Sequence, residues 1–172
     1  MAQTKEEFHK VGRVASLHLH PETKGDPMVD VKEMKLIDKG IVGNTRYFNQ
    51  EKIDKKKVVR PMKRHVSIIE REIIKEHGEK YEIEIAPGTV RSNIETLDIN
   101  LVECLGKKIK IGKEVVVSVF TLRTPCWVMD TIVKGLQQDM KHARQGIIAQ
   151  VLIPGTIVIG DSILIVSEDE KE

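Results

Sequence analysis

IKIGKEVVVS, residues 109–118, and IVIGDSILIV, residues 157–166, are written to one pattern. Each alternates apolar with other residues, reaches Ile-Gly and a polar residue, and continues into a β-branched run. Alternation sets one side of a strand against a core, and glycine beside a polar residue supplies a reversal. Each stretch therefore predicts two paired strands joined at a turn, one at Gly112 and the other at Gly160.

Working outward from these hairpins, further strand signals appear at VGRVASLHL (11–19), VKEMKLI (31–37) and HVSII (65–69). DKGIVGNTR (38–46) is rich in turn formers and predicts a tight loop. EREIIKEHG (70–78) has charges on one side and predicts a short helix stopping at Gly78. PGTVRSNIETLDI (87–99) predicts a loop entering a strand, and LVECLG (101–106) a helical turn ended by Gly106. CWVMDTIVKG and LQQDMKHARQG carry helical spacing, ending at Gly135 and Gly146. Many short strands with few, short helices predict a mainly β fold: a closed or nearly closed antiparallel β-barrel with a few short peripheral helices. Closure also removes exposed strand edges. One domain is expected over residues 1–166. SEDEKE (167–172) is acidic and apolar-free, and is expected to be disordered.

Composition narrows the function classes. The chain has 172 residues, 40% apolar and 31% charged, an ordinary balance for one globular domain. With one Trp, two Tyr and three Phe, the core must be aliphatic. No apolar run approaches the ~20 residues that span a bilayer, so no membrane association is expected. The opening MAQTKEEFHK lacks the apolar segment of a secretory signal, and two cysteines are too few for a disulfide framework. A cytoplasmic location with both thiols free is the expectation. Net charge is only +2, yet residues 52–64 hold seven basic residues against Asp54, leaving the remainder net negative. That stretch reads first as a solvated loop and second as an attractor of anions. Nucleic acid is not expected, because no aromatics are interleaved for base stacking.

The chemically suggestive segment is VVVSVFTLRTPCWVMDTIVKG (115–135). A β-branched strand runs into Arg123-Thr124-Pro125-Cys126. Pro125 cannot continue a ladder and suits a first helical turn, so the strand should end there and Cys126 should open a helix. Free amide groups and the helix dipole at such a position raise the thiolate fraction, with Arg123 adding positive charge. The alternative is a small buried apolar residue at a strand–helix junction. Cys104, in LVECLG, reads as a core residue.

LRTPCWVMD (122–130) resembles the signature Pro-Cys of the MOSC family, the C-terminal domain of molybdenum-cofactor sulfurases. Four further stretches resemble family segments in the same order: KGIVGNTRY (39–47), KRHVSIIEREI (63–73), PGTVRSNIETLDINLVECLGKKIKIG (87–112) and GIIAQVLIPGTIVIGDSI (146–163). Together they span roughly residues 11 to 166. The resemblance implies that Cys126 is a persulfide carrier or a molybdenum ligand. It implies a bound molybdenum–molybdopterin, an anionic, phosphate-bearing pterin, gripped by Arg46, Arg64, Arg91, Arg123 and Arg144, with Asn93 adding an amide; guanidinium forks suit phosphate and oxyanions. Asn44 stands where the family has Asp, and Thr45 displaces the following arginine to Arg46, which weakens any acid–base role for this loop. No cysteine-desulfurase-like domain or lysine-bearing motif is visible, so pyridoxal phosphate is not expected. The implied partner is then a cysteine desulfurase or another sulfur donor protein.

Three roles stay open at this point: a sulfur carrier or molybdenum-cofactor-handling domain, a molybdopterin-dependent reductase of N-hydroxylated compounds, and a non-catalytic adaptor that binds the cofactor. His18 and His20 alternate on a strand and so share a face, which admits a metal pair, though no other ligands stand nearby in sequence. His142, beside Arg144, reads as a solvated helix end.

Overall fold

The computed structural model describes residues 12–44 and 63–167, together with the backbone at 51–53 and 59–61. Most of the basic stretch, Arg46 and residues 168–172 of the acidic tail lie outside the described residues.

Seven strands close a barrel. In chain order the barrel strands are β1 (Gly12–Leu19), β7 (Val66–Glu70), β8 (Ile94–Leu97), β9 (Lys108–Ile111), β10 (Val115–Leu122), β11 (Ile147–Ile153) and β13 (Ser162–Val166). The remaining strands are β2 (Val29–Val31), β3 (Glu33–Ile37), β4 (Gly40–Ile41), β5 (Glu51–Ile53), β6 (Val59–Pro61) and β12 (Gly155–Val158). Neighbours around the barrel run β13-β9-β10-β11-β7-β8-β1, and β1 returns to β13 through Gly12↔Ile163 and Arg13↔Ser162. On its other side β1 is crowded against β8: a Cβ added at Gly12 would lie 2.7 Å from the Leu97 carbonyl oxygen and 2.8 Å from Ile99 Cβ.

The inner face is aliphatic because the alternation is strict. Val115, Val117 and Val119 of β10, Ile109 and Ile111 of β9, and Ile147, Ala149 and Val151 of β11 all point inward and are buried. β1 keeps Val14 and Leu17 inside by a register irregularity between Val14 and Ser16. A small sheet, β12-β3-β4, adds Met34, Leu36, Ile41 and Ile157 to the same core.

The closed barrel is the expected one, with one departure in direction. β7 and β8 pair in parallel, Ile68↔Ile94. Parallel neighbours need a crossover, and α1 (Arg71–Tyr81) supplies it on the outside. A second aliphatic cluster lies there: Ile69, Ile74, Ile85, Val90, Met129, Leu136 and Met140.

Three local expectations are corrected. The Gly112 turn does join paired strands, β9 and β10, but the Gly160 turn joins β12, which pairs with β3, to β13, which pairs with β9 and β1. The repeat in sequence encodes the same turn, while the tertiary partners differ. Gly78 does not end α1; the helix passes through it, and the chain doubles back so tightly that a Cβ would sit 2.7 Å from the Ile83 carbonyl oxygen. Residues 127–140 do not form two full helices. Trp127–Thr131 is a 3-10 turn and α2 (Leu136–Asp139) is four residues long. Val128, Thr131, Ile132 and Val133 are β-branched, and Gly135 at φ +98° breaks the path. Among the described residues, no helix is long and apolar enough to cross a membrane.

Candidate functional site

β10 carries the chain to Leu122, and the Arg123 amide extends the ladder once more by donating to the Gly146 carbonyl at 3.0 Å. Pro125 ends the pairing, as the sequence predicts. Cys126 follows in extended conformation, φ −118° and ψ 173°, with its carbonyl accepting from the Met129 amide at 3.0 Å to open the 3-10 turn. The thiol-bearing residue is exposed. It therefore precedes a single short turn instead of sitting within a helix, and the expected dipole has no stack of aligned peptides behind it. Its neighbour Trp127, the only tryptophan in the chain, is 71% exposed. Cys104 is fully buried in the barrel core; burial pushes its thiol upward, and its Sγ donates to the Asn100 carbonyl at 3.4 Å.

Arg123 lies beside this thiol loop, but its guanidinium faces the protein. It donates to the carbonyls of Val90 (3.1 Å) and Arg91 (3.0 Å) and to Ser92 Oγ (3.3 Å). One side chain thus clamps the loop before β8 to the end of β10. Arg91 sits in that loop in left-handed conformation, φ +62°, and its own guanidinium donates to the Asp26 carbonyl at 2.9 Å. Arg64 is half-buried just before β7. Arg144 is drawn elsewhere: it pairs with Glu76 at 2.6 Å and lines a separate cleft. Of the expected arginines, Arg91 and Arg123 are joined through the 90–92 loop and Arg144 lies apart, while Arg46 falls outside the described residues.

Asn93 does not present a free amide. It is fully buried; Oδ1 accepts from the Ser67 amide (3.2 Å) and from Ser67 Oγ (3.0 Å), and Nδ2 donates to the His18 carbonyl (3.1 Å). Asn93 Nδ2 also reaches Asn44 Oδ1 at 3.4 Å, which takes the His20 amide at 2.6 Å and lies 3.1 Å from His20 Nδ1. The result is a layer of buried polar side chains: Ser67 of β7, Asn93 beside β8, His18 of β1, and His20 with Asn44. Asn44, the residue that departs from the family's Asp, is the hub where three donors meet one carbonyl oxygen. His18 is held by Asp30 (2.7 Å) and Ser16 (2.8 Å), so His18 and His20 have separate partners. Among the described residues no group of three or more metal-ligand side chains assembles.

Sequence reasoning missed Ser67, Ser92 and the joining of the two asparagines. Only for Ser67 was there a signal, the alternation of β7 that sets it opposite Val66 and Ile68; Ser92, Asn93 and Asn44 lie in loops, where no period marks them. What could not be read was that polar positions that look solvated are buried and mutually satisfied.

Taken together, the arrangement offers an exposed cysteine beside an exposed indole, just past a strand end that Arg123 ties to the 90–92 loop. That suits capture of a polarisable sulfur or metal centre. A model of the MOSC domain matches residues 42–164. Among solved structures, the YuaD protein from Bacillus subtilis is similar at TM-score 0.75 and 19% identity, over 90% of this chain and 94% of that one. YiiM from Escherichia coli is similar at 0.64 and 17%, over 92% and 72%, and YiiM from Geobacillus stearothermophilus at 0.63 and 19%, over 92% and 77%. No curated protein sequence matches.

Proposed function

The chain belongs to the MOSC domain family, a family associated with molybdenum-cofactor binding in general, and on that premise we propose that it handles this cofactor or its sulfur through Cys126. The observation that carries the reading is the contrast between the two thiols: one buried in the core, the other exposed on a clamped loop at the end of a barrel strand. The residues present fit such a group. Thiolate sulfur is a favourable partner both for sulfane sulfur and for a soft, sulfur-rich metal centre. Arg91, with Arg123 behind the loop, supplies fixed positive charge for an anionic pterin; Asn93 holds the loop's far side from within. Arg64 and Arg46 are proposed as further anion contacts, Arg46 lying outside the described residues. When bound, the molybdenum centre would supply oxo- or sulfur-transfer chemistry, while this chain would bind, orient and shield it. A separate sulfur donor protein, such as a cysteine desulfurase, is the proposed partner.

The test is a Cys126→Ser variant beside the parent chain, both produced with molybdate, followed by measurement of molybdenum, pterin and protein-bound persulfide. Bound molybdenum and pterin that disappear in the variant support a cofactor-binding role. A persulfide on metal-free protein, lost in the variant, supports sulfur carriage. A variant that keeps the parent's full load of sulfur and metal would sink the role of Cys126 and leave the barrel untouched.

A further inference from the structure

A shallow, largely open concavity of about 540 Å³ lies where β7 passes into α1. None of Cys126, Arg123, Arg91 or Asn93 lines it. β7 lies between β11 and β8 in the barrel, so three segments bracket the cleft: the β7–α1 junction, the chain after β8, and the chain entering β11. Each brings different chemistry.

The centre is acidic. Glu70 is only 6% exposed; Oε1 accepts from the Leu101 amide at 2.6 Å, and its carboxyl forms part of the cleft wall. Burial pushes this carboxyl above the ordinary range, Glu72 and Glu76 add to the push, and the Leu101 amide and Arg144 oppose it. The Leu101 amide uses Oε1, and a cation placed against the other oxygen would stabilise a carboxylate at this buried position. On the β11 side stands Arg144, whose pair with Glu76 engages one terminal nitrogen and leaves other donors of the fork for the cleft it lines. The remaining wall is aliphatic, with Ile73 of α1 and, after β8, Ile99 and a Val102 that is 38% exposed.

Ligands of one charge fit poorly. A simple anion meets Glu70 and Glu72; a simple amine meets Arg144. No set of three metal-ligand side chains gathers among the described residues. A molecule with an ammonium and a carboxylate on adjacent carbons, plus an apolar branch, satisfies all three walls at once. We propose that this cleft binds a small aliphatic α-amino acid, its ammonium on Glu70, its carboxylate on Arg144 and its side chain on Ile73, Ile99 and Val102. The site stands apart from the thiol loop and does not depend on the cofactor reading.

The experiment is an amide-resolved NMR titration of the full chain with L-leucine, and with two half-ligands, isoamylamine and 4-methylpentanoate. Saturable shifts at Ile73, Val102 and Ala143 are expected with L-leucine, with each half-ligand weaker by about tenfold or more, the worth of one charge-assisted hydrogen bond. Arg144→Gln should weaken L-leucine by about tenfold while sparing isoamylamine. Glu70→Gln keeps the oxygen that receives the Leu101 amide and should weaken both amine-bearing ligands. Cys126→Ser should change none of these values. L-leucine binding no tighter than isoamylamine, shifts that do not saturate, or an Arg144→Gln variant with unchanged affinity would each overturn the proposal. If Glu70→Gln fails to fold, the ligand comparison and Arg144→Gln still decide it.

Discussion

Two cysteines in one chain give an internal control. Cys104 is closed inside the barrel and its thiol is pushed up by burial, whereas Cys126 is exposed on a fixed loop. Reaction at Cys104 requires the core to open; reaction at Cys126 does not. Iodoacetamide at neutral pH, followed by peptide mass spectrometry, should label Cys126 at least ~100-fold faster, since even a local opening of a few kcal/mol imposes that factor. Comparable rates for the two would contradict the packing. At this scale the sequence was partly legible. Pro125 ending a β-branched strand placed Cys126 correctly at the end of β10, and LVECLG placed Cys104 in the core. The roles of Asn93 and Arg123 were not legible. Their partners are backbone carbonyls and side chains tens of residues away, and nothing local distinguishes a guanidinium that grips a ligand from one that grips its own loop.

Among elements, the contact between α1 and α2 is made by a small charged cluster. Lys80 donates to Asp139 at 2.7 Å, the Tyr81 hydroxyl donates to the same carboxylate, and the Lys80 ammonium lies 5.5 Å from the Tyr81 ring centre. Lys80 and Tyr81 hold the Asp139 carboxyl below its ordinary range, and the bond to Asp139 pushes the Tyr81 hydroxyl up to about 12. The folded state thus binds fewer protons at Asp139 than the unfolded chain does. That stabilisation is complete above the unfolded carboxylate range and fades as pH falls through the folded one. Tyr81 behaves oppositely: its share is present below the unfolded value near 10 and is lost as pH rises toward about 12. Asp139→Asn should lower thermal stability at neutral pH and flatten both limbs of a stability–pH curve; a parallel downward shift with both limbs intact would refute the linkage. Strand positions were readable because period-2 alternation survives folding. The helices at 127–140 were misread because apolar spacing there satisfies the outer cluster without a regular helix, and four β-branched residues with Gly135 disfavour one.

At the scale of the molecule, closure hangs on one seam. Gly12 permits β1 to lie against the Leu97 carbonyl and Ile99 while meeting Ile163. Gly12→Val should cost roughly 1–3 kcal/mol as an overpacked contact, read as a lower denaturation midpoint with the greatest loss of amide protection where the end of β1 meets β8 and β13. Unchanged protection there would mean that the ring is closed by other strands. The sequence predicted the ring but not its parallel β7–β8 pair, since direction is set by a crossover on the far side of the wall. The seam also has a consequence in time. Synthesis delivers β1 at the start and β13 after every other barrel strand, so on the ribosome the early strands wait with an unpaired edge. Until β13 arrives the sheet keeps an open edge on β1 and on β9, and a chain truncated before residue 162 cannot close the ring.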